Sequence, residues 1–110
     1  GVMDVYDGQG ECLGLIEGAI MTFLPSRFSF YDANNRLLAT AYMDSDALGF
    51  SVLDAKNEAK AIAYYRRVFI KDVPDYWVVT INDPAVVDIR MLYSFGAFVV
   101  DNQGNFRKDD

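Results

Sequence analysis

The 110-residue chain contains no histidine, which removes His-based triads, most zinc sites and the commonest general base and turns attention to its carboxylates, its single cysteine and its cations. Asp88 is the first candidate. It sits in an apolar stretch that reads as a helix, on the face that also carries Leu92, Phe95 and Val99. One reading is a functional buried acid with a raised pKa, near the mouth of a barrel. The favoured one is a carboxylate near the positive end of the helix that pairs or reaches solvent. Asp44-Ser45-Asp46 offers two hard oxygen donors to a cation such as calcium, although a solvated turn before Leu48 explains the same residues. Paired carboxylates also serve glycoside chemistry, but most aspartates here fall at turns, where capping accounts for them.

Arg66, Arg67 and Lys71 form the only basic cluster. Alternation along a strand separates Arg66 from Arg67, so Arg67 and Lys71 share a side and become the candidate ligand for a phospholipid headgroup or another anion. Pairing of these cations with the surplus surface carboxylates is the competing, favoured reading. Cys12 has no histidine to activate it and reads as a half-buried strand residue. Gly8-Gln9-Gly10 opens no helix and is therefore not a phosphate loop. No cofactor is implied, and Asp44 and Asp46 are the only metal candidates.

The element that would carry Asp88 spans 83–101. Asp83 suits an N-cap and Pro84 the first helical position. Within 84–100, 12 of 17 residues are apolar, and Arg90, Ser94, Ala97 and Asp101 line up as a narrow polar stripe. Such a helix needs enclosure. Asp88 and Arg90 interrupt a stretch already short for a membrane span, so no transmembrane segment is expected. Gly96 is the alternative stop, with Ala97–Val100 then becoming a strand. The longer helix is preferred.

What precedes the helix reads as strands and hairpins. Residues 28–42 align without gaps on residues 50–64, eight of fifteen positions being identical at an offset of 22, and a weaker copy begins at Val5-Tyr6-Asp7. Each copy reads as an apolar strand, an Asp-initiated turn and a strand of alternating small and large residues. Asp54–Ala63 also contains good helix formers. Its partner copy, with Asn34-Asn35 and Thr40, does not, and the hairpin reading prevails. Met3–Tyr6, Glu11–Glu17, Ala19–Leu24, Tyr64–Lys71 and Tyr76–Ile81 complete the expected strands.

Apolar residues make up 52% and aromatic ones 15%, a composition for one packed domain. The net charge of −6 disfavours nucleic acid as a partner, since there is no cation surplus to neutralise phosphates. One cysteine cannot staple a secreted scaffold. The N-terminus has no basic segment leading into an apolar run, and Gly1 is not a native start residue, so a leader or N-terminal part is expected to be missing.

Hairpins of the form aromatic-x-apolar-x-Asp-turn-Leu-Ala, followed by an apolar helix ending in Val99-Val100-Asp101, resemble the superfamily of tubby, LURP-one-related and phospholipid scramblase proteins. The resemblance spans about residues 3–101. It implies a β-barrel threaded by a hydrophobic C-terminal helix, with a lean towards membrane or lipid association. The chain departs from the pattern in having about eight strands rather than about twelve. It also lacks the cysteine-rich and acidic calcium-binding segments of the scramblases, and no residue matches the lysine and arginine that hold a phosphoinositide in tubby.

The expectation is thus a mainly β chain with one long helix (α+β): an antiparallel barrel or curved sheet presenting Phe28, Phe30, Phe50, Val52, Ile62 and Trp77 to the helix. The leading function is a non-enzymatic binding or scaffold domain, taking a lipid headgroup or a protein partner. A small carboxylate-dependent hydrolase or isomerase using Asp88 is one alternative. A structural subunit whose sheet edge pairs with its own copy, a homo-oligomer, is the other. The expected location is the cytoplasm or the cytoplasmic face of a membrane.

Overall fold

The structure, a computed structural model, describes residues 1–19, 26–46, 48–72 and 76–102. Among these, seven strands form one antiparallel sheet in simple sequence order: β1 (Val2–Tyr6), β2 (Cys12–Ala19), β3 (Arg27–Asp32), β4 (Leu37–Met43), β5 (Gly49–Asp54), β6 (Asn57–Val68) and β7 (Tyr76–Ile81). One helix, α1 (Ile89–Asp101), packs against the sheet, which curls as a half-barrel. The expected α+β class holds. The sheet wraps only part of the helix, however, and β1 and β7 remain edges. Most of the strand expected at 19–24 lies outside the described residues, with Ala19 closing β2.

The three hairpins are built alike, as the repeat suggested. In each, the register slips immediately before the turn aspartate: at Val5/Tyr6, Phe30/Tyr31 and Val52/Leu53. Such a bulge adds local twist and bends its strand, so three in phase curl the sheet in one direction. Asp7 Oδ1 accepts from the N–H groups of Gln9 and Glu11, and Asp32 Oδ1 from those of Asn34 and Arg36. The left-handed position of these two turns falls on Gly10 (φ 86°) and Asn35 (φ 63°), residue types that tolerate it. Asp54 repeats the motif through the Lys56 N–H. The helical potential of 54–63 yields to this turn and to pairing on both sides of β6.

Burial follows the alternation. Phe28 and Phe30 on β3 lie opposite Ala41 and Ala39 on β4, and Val52 on β5 lies opposite Ala41 and Ala63. All six are buried, as are Phe50, Ile62 and Tyr65. Large rings beside alanines leave a trough into which α1 fits through Met91, Leu92, Phe95 and Val99. Phe95 is fully buried and meets Phe28, Phe30, Phe50 and Tyr65 edge to face at 5.2–5.5 Å between centroids, the arrangement aromatic pairs prefer. Trp77 faces the groove beside the helix as expected, half-buried at the margin of this core.

The helix begins five residues later than the sequence suggests. Asp83 caps only a local turn, accepting from the Ala85 N–H, and pairs with Lys60. Residues 84–86 continue as turn, and Val87 plugs into the core. The N-cap is Asp88. Past Gly96 the helix continues to Asp101, so the glycine does not end it. Gly96 faces the Tyr65 ring, which would stand 3.4 Å from a methyl group at that position, an ordinary contact distance. The Tyr65 hydroxyl donates to the Leu92 carbonyl at 2.6 Å, tying helix to sheet.

Phe95→Ala is expected to cost about 3–5 kcal/mol, as for other fully buried rings, read from chemical denaturation. A cost below about 1 kcal/mol would show that the ring cage is not what holds helix to sheet.

Candidate functional site

Asp88 begins the helix instead of projecting from it. Its Oδ1 accepts from the Arg90 N–H at 2.9 Å and from Arg90 Nε at 3.0 Å, while Oδ2 takes Arg90 Nη2 at 2.8 Å. The carboxyl group is about one-third exposed. The Arg90 side chain, first, and the Arg90 backbone N–H hold its pKa below the usual carboxylate value. This is the opposite of the raised pKa that a general acid would need. Arg90 also feels Asp7 of the first turn.

Asp44 and Asp46 clamp Arg66 rather than gather around a cation. Arg66 Nη1 donates to Asp44 Oδ2 at 2.7 Å and Nη2 to Asp46 Oδ2 at 3.1 Å. The other carboxylate oxygens accept from the Ser51 hydroxyl and the Leu48 N–H. The Leu48 N–H, and then Arg66, lower the pKa of Asp46. No group of three or more metal-binding side chains occurs among the described residues. Cys12 is exposed at the start of β2, not half-buried as expected, and its thiol points to the Gly14 carbonyl.

Arg67 does project to the opposite side from Arg66, on the helix-facing row with Tyr65, and its register partner is Trp77. The parity argument does not extend to Lys71, because β6 stops at Val68 and Lys71 lies in the turn that follows. What the sequence reading missed stands between them. Phe69 is 60% exposed and Ile70 45%, and the Arg67 guanidinium lies 4.8 Å from the centre of the Phe69 ring. Two large apolar side chains thus protrude at the β6–β7 turn, flanked by two cations. The adjacent pair Phe69-Ile70 at the end of an alternating strand was the available signal, absorbed there into an over-long strand.

Two apolar grooves flank the helix. One, of about 320 Å³, lies between β1–β2 and the helix and is lined by Met3, Ile16, Phe28 and Phe98 among others. The other, of about 440 Å³, runs between β7 and the helix past Trp77, Val79, Tyr93, Gly96 and Val100. Neither contains a described carboxylate cluster. No helix among the described residues is long and apolar enough to cross a membrane.

Asp88→Ala is expected to cost about 1 kcal/mol through loss of the cap. Asp88→Asn keeps the cap and removes the charge. Because the folded pKa is lowered, the charge stabilises fully above the unfolded value of about 3.9 and ceases to do so as pH falls through the folded pKa. The difference between wild type and Asp88→Asn should therefore be present at neutral pH and vanish in acid, in urea melts across that range. Equal stability at every pH would mean that the Asp88 charge does not act. Searches against family models, curated proteins and solved structures return no match for this chain.

Proposed function

We propose that this chain is a non-enzymatic binding domain that docks on anionic lipid headgroups through the β6–β7 turn. The observation that carries the reading is the exposed pair Phe69 and Ile70 between Arg67 and Lys71. Apolar side chains at such a tip gain by entering the headgroup–acyl boundary, and each nearby cation adds about 1 kcal/mol at an anionic surface. The rest of the chain opposes this, because the net charge is −6. Binding should therefore be weak, salt-sensitive and confined to one orientation. The three Asp-initiated turns lie at the other end of the hairpins; at this end Asp44 and Asp46 are paired with Arg66, and Asp72 follows Lys71 in the turn.

The likeness to the tubby, LURP-one-related and scramblase superfamily belongs to the same proposal. It is supported by the meander of repeated hairpins and by the apolar helix in the concavity of the sheet. A location at the cytoplasmic face of a membrane follows from it as part of the reading.

Sedimentation with phosphatidylcholine vesicles, with and without phosphatidylserine, tests the proposal. Wild-type protein should pellet only with the anionic vesicles, Arg67→Glu should not, and the double variant Phe69→Ala/Ile70→Ala should bind at least roughly tenfold more weakly. A wild-type protein that stays in the supernatant with both vesicles overturns the reading.

A further inference from the structure

Among the described residues, the outer side of β7 is an unpaired sheet edge without a charged residue. Asn82 N–H donates to the Ile62 carbonyl at 2.8 Å, and Ala63 lies opposite Ile81. In an antiparallel ladder this makes Ala63 and Ile81 a non-hydrogen-bonded pair. The odd-numbered residues of β7, Val79 and Ile81 among them, therefore direct their N–H and C=O groups away from β6, and among the described residues no strand lies on that side. Beside this edge stand Tyr93, 59% exposed, and Val100, with Ala97 between them on the outward helix face. On the sheet's other face Tyr76 and Val78 are also about half-exposed. The strand Tyr76-Trp77-Val78-Val79-Thr80-Ile81 contains no charge and no proline, the devices that normally blunt an edge.

We infer that β7 is a pairing edge and that its occupant is β7 of a second copy of this chain, antiparallel about a two-fold axis at Val79. Three observations select that partner. Outward-directed backbone groups call for another strand, and an antiparallel strand about a two-fold axis presents the same groups in mirror order, so Val79 can exchange both bonds with its own equivalent. The uncharged edge lets two copies approach although each carries −6, whereas β1, the other edge, holds Asp4 at its centre and would bring like charges together. A perpendicular axis also keeps both helices on one face of the continued sheet, so the stripes containing Tyr93, Ala97 and Val100 close towards one another. This inference is independent of the lipid reading, because neither Phe69 nor Lys71 belongs to the surface.

Sedimentation equilibrium of the chain from micromolar to submillimolar concentration reads the result. A reversible species of twice the 12.4 kDa chain mass is expected. Val79→Lys, which sets two like charges at the axis, and separately Tyr93→Arg should each shift the equilibrium at least roughly tenfold towards monomer, with circular dichroism unchanged. Two variants guard against one that fails to fold. A wild type that stays monomeric throughout, a dimer insensitive to both substitutions, or open-ended assembly beyond the dimer overturns the inference.

Discussion

The structure depends on one constraint: a helix this apolar must be given a trough as wide as its own side chains. Phe95 measures whether that has been done. Four rings from β3, β5 and β6 meet it, and the space they leave exists because Ala39, Ala41 and Ala63 occupy intervening positions of the same face. Bulkier residues there would overfill a close-packed interior. Gly14 extends the logic to β2. At φ 154°, a side chain there would run into the Tyr31 carbonyl, and Met91 fills the space above instead.

The curvature that forms the trough comes from the turns. Each hairpin slips register at the same place, and each slip sits against an aspartate folding its own backbone. This is where the acidic excess is partly spent. Asp7, Asp32, Asp54, Asp83 and Asp88 accept backbone N–H groups, and Asp44 and Asp46 hold Arg66. A carboxylate committed to such bonds is a poor candidate for proton transfer. The turns begun by Asp7, Asp32 and Asp54 define one rim of the sheet, and the protruding Phe69-Ile70 turn belongs to the other, together with the Asp44 and Asp46 that hold Arg66.

The sequence made the hairpins legible because repetition is independent of propensity. Two matching copies overrode the helical look of 54–63, and β7 was read with its observed bounds. The helix start was not legible, because Asp83-Pro84 is a sound opening in isolation and only the burial of Val87 reveals that the chain must first enter the core. The favoured reading of Asp88, a carboxylate at the positive end of the helix that finds a partner, agrees with its cap position and its pairing with Arg90; only its place on the apolar face was misread, because the later start moves it to the cap. That the sheet stops as a half-barrel could not be read from alternation, which is the same in an edge strand and an enclosed one. The candidate tip was half legible. Arg67 was placed on the correct side of its strand, while strand parity could not follow the chain past Val68 to Lys71.

The order of the elements has a consequence for biosynthesis. Every strand of the meander precedes α1 in the chain, and neighbouring hairpins close over short loops, so the sheet can assemble as it emerges. Its cover arrives last. Until Phe95 has left the ribosome, Phe28, Phe30, Phe50 and Tyr65 have no ring to receive and stand as a contiguous apolar surface, the kind of species that aggregates or engages chaperones. The nascent chain is therefore most exposed just before α1 emerges, and truncation within α1 would leave a formed but uncovered sheet.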